Sequence, residues 1–225
     1  MIIILGATGG LGKGLLELAQ AQSTKDHWEF GEVIGTSRKD IDLIDEQSIA
    51  RFVSSIQLKL KPRETIKVIN ATGISINGML HKLSKDDFEK TLRTNVSGNF
   101  LFLKHLQPVL RDRPGSSAVL ISSVVGETGV IGTIAYAASK SALRGLCRVS
   151  AKELAKFDVT INVIELGYFE AGMILQVPAN IQESLRGEIP LNRFGKVSEL
   201  FTACKFALEC GYLTGSIIKL NGGLT

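Results

Sequence analysis

The chain has 225 residues and a net charge of +4, and 44% of its residues are hydrophobic and 21% charged. These values describe a globular α/β protein and exclude a disordered, collagen-like or disulfide-stabilised chain. No apolar run is long enough to cross a bilayer and no basic leader begins the chain, so we expect a cytoplasmic protein that makes no membrane contact.

Basic and cysteine residues narrow the classes of partner. Lys and Arg are scattered among acidic residues, which favours a small anionic ligand over nucleic acid. Cys147, Cys204 and Cys210 are odd in number and lack C-x-x-C spacing, so we expect neither a disulfide framework nor a bound metal.

No linker, low-complexity tract or repeat divides the chain, so we expect one domain over residues 1–225.

Short apolar runs alternate with longer segments of helical periodicity, which predicts βαβ units around a parallel sheet. The predicted strands are Ile2–Leu5, Glu32–Ser37, Ile66–Ala71, Ala118–Ser122, Thr160–Leu166 and Ser216–Leu220. The predicted helices are Leu11–Gln22, Glu46–Lys59, Lys85–Arg111, Ala135–Lys156 and Val197–Cys210. Residues 126–133 and 168–193 are irregular, as is typical of loops over a ligand, and we interpret the second segment as a mobile lid.

A glycine-rich turn joins the first predicted strand to the first predicted helix. It reads Gly6-Ala7-Thr8-Gly9-Gly10-Leu11-Gly12. Glycines let the backbone approach a pyrophosphate closely, and the N–H groups and positive dipole end of the helix attract its charge. The position of this motif favours a dinucleotide site over the alternative, a plain tight turn.

The second predicted strand ends in a polar segment that discriminates between dinucleotides. Ser37 closes the strand and Arg38 follows it. An acidic residue at this strand end would accept a hydrogen bond from a ribose 2′-hydroxyl and repel a 2′-phosphate. A guanidinium binds the phosphate instead, so the segment favours NADP(H) over NAD(H). The alternative is a solvated arginine at a strand end.

Later segments supply groups for acid–base chemistry. Tyr136 and Lys140 lie four residues apart on one face of a predicted helix, where the ammonium would lower the pKa of the phenol. The alternative for this pair is a surface contact. Ser123 follows the end of a predicted strand and can hold a substrate oxygen. Asn95 lies inside a predicted helix, which requires either a partner for its amide or exposure to solvent.

The ordered set of motifs resembles the short-chain dehydrogenase/reductase family, and within it the bacterial 3-oxoacyl-ACP reductases. The motifs that carry the resemblance extend over nearly the whole chain: Gly6/Gly10/Gly12, Asn70-Ala71-Thr72-Gly73, Asn95, Ser123, Tyr136-x-x-x-Lys140, Leu166-Gly167 and the segment from Ile189 to Gly195. The resemblance implies a Rossmann-like, doubly wound parallel sheet with helices on both faces, assembled into homodimers or homotetramers.

The resemblance also implies a role for each matching residue. Tyr136 would protonate a carbonyl oxygen as hydride arrives from the nicotinamide, Ser123 would bind that oxygen, and Lys140 would bind the nicotinamide ribose. Asn95 would hold a water molecule in the proton relay. The cofactor-binding residues would be Gly6, Thr8, Gly9, Gly10, Leu11, Gly12, Ser37, Arg38, Asp42, Leu43, Asn70, Ala71, Gly73, Tyr136, Lys140, Gly167 and Phe169.

The chain departs from the family pattern in places that affect the cofactor. Ala171 stands where a threonine commonly contacts the nicotinamide carboxamide. Three residues separate Arg38 from Asp42, where the family has a helix and the start of another strand. We infer that this βα unit is missing, that the sheet has about six strands and that the adenine pocket is less enclosed on that edge.

We therefore expect an NADP(H)-dependent oxidoreductase that interconverts a ketone and a secondary alcohol on a small, carrier-linked or free substrate. A 3-oxoacyl thioester is the leading interpretation. One alternative is a sugar, nucleotide-linked or secondary-metabolite substrate, and another is a non-catalytic NADP(H)-binding sensor or scaffold.

Overall fold

The computed structural model describes residues 1–25 and 31–224. Its strands are β1 (Ile2–Leu5), β2 (Val33–Gly35), β3 (Lys67–Asn70), β4 (Ser117–Ser123), β5 (Thr160–Leu166) and β6 (Ile217–Leu220). Its α-helices are α1 (Gly10–Lys25), α2 (Glu46–Lys59), α3 (Lys85–Leu92), α4 (Gly98–Leu110), α5 (Val125–Thr128), α6 (Ile134–Leu154), α7 (Ala179–Glu188) and α8 (Val197–Glu209). None of the helices in these two ranges combines the length and apolarity needed to cross a membrane.

The strands form one parallel sheet in the order β2-β1-β3-β4-β5-β6. Successive side chains of a strand point to opposite faces of the sheet. Ile3 and Leu5 accordingly pack in one core with residues of α2, α4 and α6, whereas Ile2 and Ile4 pack in a second core with residues of α1 and α8. Helices therefore cover both faces, and the predicted doubly wound α/β fold is confirmed.

The chain changes direction across the sheet at β1. The strand β2 pairs with one side of β1, and β3 pairs with the other side. In open α/β sheets, ligands bind beyond the carboxyl ends of the strands at such a switch point. The residues that end β1, β3 and β4 are Leu5, Asn70 and Ser123, and they mark the edge where a site is expected.

The second strand is shorter than predicted, and its surroundings confirm the missing βα unit. The predicted strand Glu32–Ser37 is reduced to Val33–Gly35, which pairs with β1 at the end of the described sheet. In the described part of the chain, no strand or helix lies between Gly35 and the start of α2 at Glu46. The sheet therefore has the six strands expected from the short spacing of Arg38 and Asp42.

The long predicted helix Lys85–Arg111 is interrupted. A π-helical turn, Arg93–Ser97, separates α3 from α4. Helical periodicity continues through the turn in the sequence, so the pattern predicts one uninterrupted helix and is wrong at this point. Single π-helical turns inside helices often occur at functional sites, and this one contains Asn95.

Each of the two segments predicted as irregular contains helical structure. The short helix α5 overlaps residues 126–133, and α7 follows a 3-10 turn, Gly172–Gln176, within residues 168–193. The prediction of continuous loops is wrong here because neither helix is long enough to show a clear period. The one local signal for α7 is the pair Ile181 and Leu185, which lie four residues apart.

Candidate active site

Two joined clefts open at the carboxyl ends of the strands. The glycine cleft has a volume of about 510 Å³, and its lining includes Gly6, Thr8, Gly9, Ser37, Arg38, Asp42 and Leu43. The tyrosine cleft has a volume of about 540 Å³, and its lining includes Leu11, Ser123, Tyr136, Lys140, Gly167 and Phe169. The turn Ala71-Thr72-Gly73 lines both, so an extended ligand can pass from one cleft to the other. The described residues contain no group of three or more His, Cys, Asp or Glu side chains that could hold a metal ion.

Close backbone contacts shape the glycine turn after β1. Gly6 has a φ of +78°, a conformation that residues with a side chain rarely adopt. A Cβ on Gly12 would lie 2.2 Å from the carbonyl oxygen of Gly6, so only glycine lets α1 start so close to the strand. Because Gly9 lines the glycine cleft and Leu11 lines the tyrosine cleft, the N-terminus of α1 lies at their junction. Its free N–H groups favour an anionic ligand there.

Gly10 makes a contact that sequence reasoning missed. A Cβ on Gly10 would lie 2.4 Å from the backbone nitrogen of Gly172, which has a φ of +76°. The segment Gly172–Gln176 therefore packs directly on the glycine turn. No local pattern connects two glycines so far apart in the chain, although a glycine in a segment predicted to cover a ligand is a weak signal of close backbone approach.

Tyr136, Ser123 and Lys140 come together in the tyrosine cleft. Tyr136 is 7% exposed, and its hydroxyl is hydrogen-bonded to Ser123. Lys140 lies one turn further along α6, with its Nζ 5.6 Å from the centroid of the Tyr136 ring. This Nζ donates a hydrogen bond of 2.8 Å to the carbonyl oxygen of Ile121 in β4. The helix α6 and the end of β4 thus present a phenol, a hydroxyl and an amine in one cleft.

Burial determines the protonation of these groups. It raises the pKa of Tyr136 to about 12, although the hydrogen bond with Ser123 acts in the opposite direction. It lowers the pKa of Lys140 to about 8. The expected lowering of the Tyr136 pKa by Lys140 is not found, because desolvation of the phenolate is the larger effect. At pH 7 the phenol therefore holds its proton, and the ammonium form of Lys140 predominates.

Replacement of Lys140 by Met should change how stability depends on pH. The folded-state pKa of Lys140, about 8, lies below the ordinary lysine value of 10.5, so the unfolded chain binds more protons and this residue makes the free energy of unfolding rise with pH. Between pH 7 and 9.5 this contribution amounts to about 2 kcal/mol. Urea unfolding of both proteins should show that the free energy of unfolding of the wild type rises by this amount relative to that of K140M. If the two free energies changed with pH in parallel, the lowered pKa of Lys140 would be contradicted. The raised pKa values of the thiols of Cys147 and Cys204 make the free energy of unfolding fall as the pH rises. This contribution is the same in both proteins, so it cancels when they are compared.

Asn95 organises the backbone behind the clefts. The side chain is almost fully buried, its Oδ1 accepts a hydrogen bond from the N–H of Ile74, and its Nδ2 donates to the carbonyl oxygen of Ile74 and to Ser139. Ser139 in turn donates to the carbonyl oxygen of Tyr136. The buried amide therefore has its partners, and it connects the π-helical turn to the helix that carries Tyr136.

Asn70 shapes the turn that separates the two clefts. Its Oδ1 accepts hydrogen bonds from the N–H and the hydroxyl of Thr72, and its Nδ2 donates to Asn99. Asn99 donates in turn to the carbonyl oxygen of Asn95. Sequence reasoning missed Asn99, although a second asparagine one helical turn after Asn95 was a signal for it. Gly73 packs closely against Lys140, because a Cβ on Gly73 would lie 3.2 Å from the Nζ of that residue.

The end of β2 carries the polar groups of the glycine cleft. Arg38 is largely exposed, and its guanidinium donates two hydrogen bonds of 3.1 Å to the carboxylate of Asp42. Thr36, which the sequence analysis did not select, is 1% exposed, and its Oγ1 has no hydrogen-bond partner within the described structure. A buried hydroxyl without a partner next to a cleft is expected to bind a polar ligand group. The sequence signal for Thr36 was its position directly before Ser37.

The outer wall of the tyrosine cleft is apolar. Phe169 is buried, and the segment around it supplies Ala171, Met173, Ile174, Ile181 and Leu185 to the lining. Gly167 lets the chain pass close to β6, because a Cβ there would lie 2.8 Å from the Cα of Asn221. The alanine in place of the usual threonine thus faces the cleft as the departure from the family pattern implied.

Comparisons with known proteins assign the class that this fold and these clefts define. A family model described as "Enoyl-(Acyl carrier protein) reductase" matches residues 16–225. The chain belongs to the short-chain dehydrogenase/reductase family of oxidoreductases, enzymes that use a nicotinamide cofactor and act on CH–OH groups.

Two of the following three relatives are similar over nearly the whole chain, and the third is similar over 70% of it. The 3-oxoacyl-[acyl-carrier-protein] reductase FabG of Aquifex aeolicus is 29% identical, with 99% of this chain and 96% of the relative covered. The acetoacetyl-CoA reductase of Synechocystis sp. is 28% identical, with 99% and 95% covered. The human 3-oxoacyl-[acyl-carrier-protein] reductase is 35% identical over 70% of this chain and 65% of its own length.

Proposed function

We propose that this chain is an NADP(H)-dependent reductase that interconverts a 3-oxoacyl thioester and the corresponding 3-hydroxyacyl thioester. The observation that carries the proposal is the joint burial of Ser123, Tyr136 and Lys140 in a cleft that continues into the glycine cleft. The names of the relatives, which are reductases of acyl-carrier-protein and CoA thioesters, support the substrate class. The whole chain is proposed to act as one catalytic domain.

The residues of the glycine cleft fit a dinucleotide. Gly6, Thr8 and Gly9 line the glycine cleft beside the N-terminus of α1, whose free N–H groups would bind a pyrophosphate. The unpartnered hydroxyl of Thr36 would bind the adenosine ribose, and the exposed guanidinium of Arg38 would bind its 2′-phosphate. Leu43 is buried beside the cleft and would pack against the adenine.

The buried residues of the tyrosine cleft supply proton transfer and orientation. When bound, the nicotinamide supplies the hydride. Tyr136 donates its phenolic proton to the carbonyl oxygen, and Ser123 donates a hydrogen bond that holds this oxygen beside the phenol. The ammonium of Lys140 binds the nicotinamide ribose and stabilises the phenolate that remains. Asn95 acts as a positioning residue, because it connects the π-helical turn to Ser139.

The resting protonation state favours reduction. A phenol with a pKa of about 12 carries its proton at neutral pH, so Tyr136 is ready to act as an acid. The same raised pKa makes Tyr136 a poor base unless cofactor binding brings positive charge close to it. The isolated chain therefore holds Tyr136 in the protonated form that reduction of the ketone requires.

The apolar wall supports an acyl chain as the rest of the substrate. A further groove of about 580 Å³, lined mainly by Gly78–Leu80 and residues 125–132, shares Val125, Val130 and Ile131 with the tyrosine cleft. We place the acyl chain along this shared wall. NADPH oxidation measured with acetoacetyl-CoA, simple β-keto esters and sugar ketones tests the proposal. A higher kcat/KM for the thioester than for the other substrates supports the proposed thioester substrate. A higher kcat/KM for a sugar ketone would contradict it.

Assembly into homodimers or homotetramers is also proposed. The family commonly pairs the helices that correspond to α3–α4 and α6. Phe100 of α4 and Val149 of α6 are more than half exposed in the single chain, which supports burial of these helices by a second copy. Light scattering coupled to gel filtration measures the mass of the assembly, and a monomer would contradict this proposal.

The role of Arg38 leads to a prediction about cofactor choice. Substitution of Arg38 by Asp should raise the Kd for NADPH by about 10- to 100-fold, because a charge-assisted hydrogen bond to phosphate is lost. The Kd for NADH should change far less, and calorimetric titration measures both. Arg51 is a matched control, since it is also an exposed arginine paired with an aspartate, Asp45, but lies on α2 away from the cleft lining. Equal losses for both nucleotides in R38D would contradict the phosphate assignment.

A further inference from the structure

The shortened connection after β2 brings an acidic side chain to the end of that strand. The Oδ2 of Asp40 accepts a hydrogen bond of 2.7 Å from the N–H of Ser37 and another of 2.7 Å from its hydroxyl. The turn is closed by backbone bonds from Asp40 and Ile41 to the carbonyl oxygen of Ser37. Both polar donors of Ser37 are thus directed at one carboxylate oxygen.

We infer that Asp40 is a specificity-determining residue that competes with the 2′-phosphate of NADP(H) for the donors of Ser37. A carboxylate oxygen that accepts an N–H and an O–H makes the contacts that a phosphate oxygen would make in the same place. Two anions cannot share these donors without repulsion, so the phosphate must displace the carboxylate. This inference rests on the proposed binding of NADP(H) in the glycine cleft.

The charges around Arg38 also indicate that the 2′-phosphate competes with acidic side chains. Arg38 and Lys39 are opposed by Asp40 and Asp42, so residues 37–42 carry no net positive charge for the phosphate. The guanidinium of Arg38 donates to Asp42, whose other carboxylate oxygen accepts from the N–H of Ile44 and whose N–H donates to Ser48. Asp42 is therefore part of the loop framework. The side chain of Asp40 accepts hydrogen bonds of 2.7 Å from the N–H and the hydroxyl of Ser37, and Asp40 is exposed, so it is the acid that can be displaced.

The carboxylate of Asp40 stays ionised over the working range of pH. The two hydrogen bonds from Ser37 hold its pKa below the ordinary value. The ribose 2′-hydroxyl of NADH, in contrast, carries no charge and can donate a hydrogen bond to the same carboxylate. Arg38 and Asp40 therefore act in opposite directions, and Asp40 reduces the preference for NADPH over NADH that Arg38 provides.

Titration of two variants with four nucleotides tests this inference. Asp40→Asn removes the charge and Asp40→Ala removes the side chain; the exposed Asp112→Asn is the control for net charge. Calorimetry gives the Kd of each full-length protein for NADPH and NADH, and for the fragments adenosine 2′,5′-bisphosphate and 5′-AMP. We expect both Asp40 variants to shift the ratio of the Kd values by at least about tenfold in favour of the 2′-phosphorylated member of each pair. The control should leave the ratio unchanged.

The outcomes separate the inference from the function on which it rests. If NADPH and NADH both bind and the Asp40 variants leave the ratio within about twofold of wild type, Asp40 has no role in specificity. If neither dinucleotide binds the wild-type protein, the proposed function is wrong and the inference falls with it. A shift that also appears in Asp112→Asn would assign the effect to net charge and overturn the specific role of Asp40.

Discussion

Replacement of Tyr136 by Phe is expected to lower kcat by about 10²- to 10⁴-fold, the usual contribution of a positioned general acid. The phenyl ring would fill the same buried space against Val124 and Val125, so the fold and the Kd for NADPH should be retained. The hydroxyl that is lost is the one hydrogen-bonded to Ser123, whereas the second tyrosine that lines the cleft, Tyr168, is left in place. Steady-state rates and calorimetric titration measure the two quantities separately.

The interpretation of this variant depends on a control and on a clear contrary result. Tyr212 is fully exposed, and Tyr212→Phe should leave both kcat and Kd unchanged. If Tyr136→Phe turned over the substrate as fast as wild type, Tyr136 would not be the acid. If the variant lost nucleotide binding together with activity, the hydroxyl would act in the cofactor site and the proton donor would have to be sought elsewhere.

Replacement of Arg144 by Met is expected to reduce the free energy of unfolding by about 3–5 kcal/mol, because it leaves a buried carboxylate without its partner. The guanidinium donates hydrogen bonds of 2.5 and 2.8 Å to the two carboxylate oxygens of Glu165, whose side chain is 1% exposed. Arg144 lies one turn after Lys140 on α6, and Glu165 lies on β5 in register with Ser122. The pair therefore joins the helix of the candidate active site to the sheet.

The double variant Arg144→Met with Glu165→Leu distinguishes a buried unpaired charge from a simple loss of packing. Substitution of both partners by apolar residues should restore most of the lost stability, since no charge then remains buried. The exposed pair Lys13 and Glu17 is the control, and Lys13→Met should cost less than about 1 kcal/mol. Urea unfolding measures all four proteins. A loss in Arg144→Met no larger than that of Lys13→Met would show that the buried pair contributes little.

Much of the candidate site follows from local sequence patterns. The turn from Gly6 to Gly12 was expected at the end of β1 because glycines between an apolar run and a helical period have few other uses. Tyr136 and Lys140 were expected on one face because four residues make about one helical turn. Ser123 was expected at a strand end, and there it is hydrogen-bonded to Tyr136. The roles of these residues in catalysis and cofactor binding remain predictions.

The parts that sequence reasoning missed depend on residues far apart in the chain. Asn95 was found as an unusual helix residue, but its partner Ile74 and the π-helical turn around it were not. The contact of Gly10 with Gly172 and the pairing of Arg144 with Glu165 likewise have no local pattern. The prediction of a lowered Tyr136 pKa was wrong because burial, which the sequence does not show, raises this pKa.

Local patterns in this sequence therefore determine most strands and helices and the motifs that carry the family resemblance, and the resemblance in turn implies the doubly wound class and the missing unit after β2. They act through neighbours three or four residues apart in a helix and through apolar runs in a strand, which short segments carry on their own. Only the tertiary structure decided which amides are buried, which charges are paired, how strongly Tyr136 holds its proton and that Asp40 faces Ser37. Each of these depends on desolvation and on contacts formed when the chain folds, so no single segment contains the information.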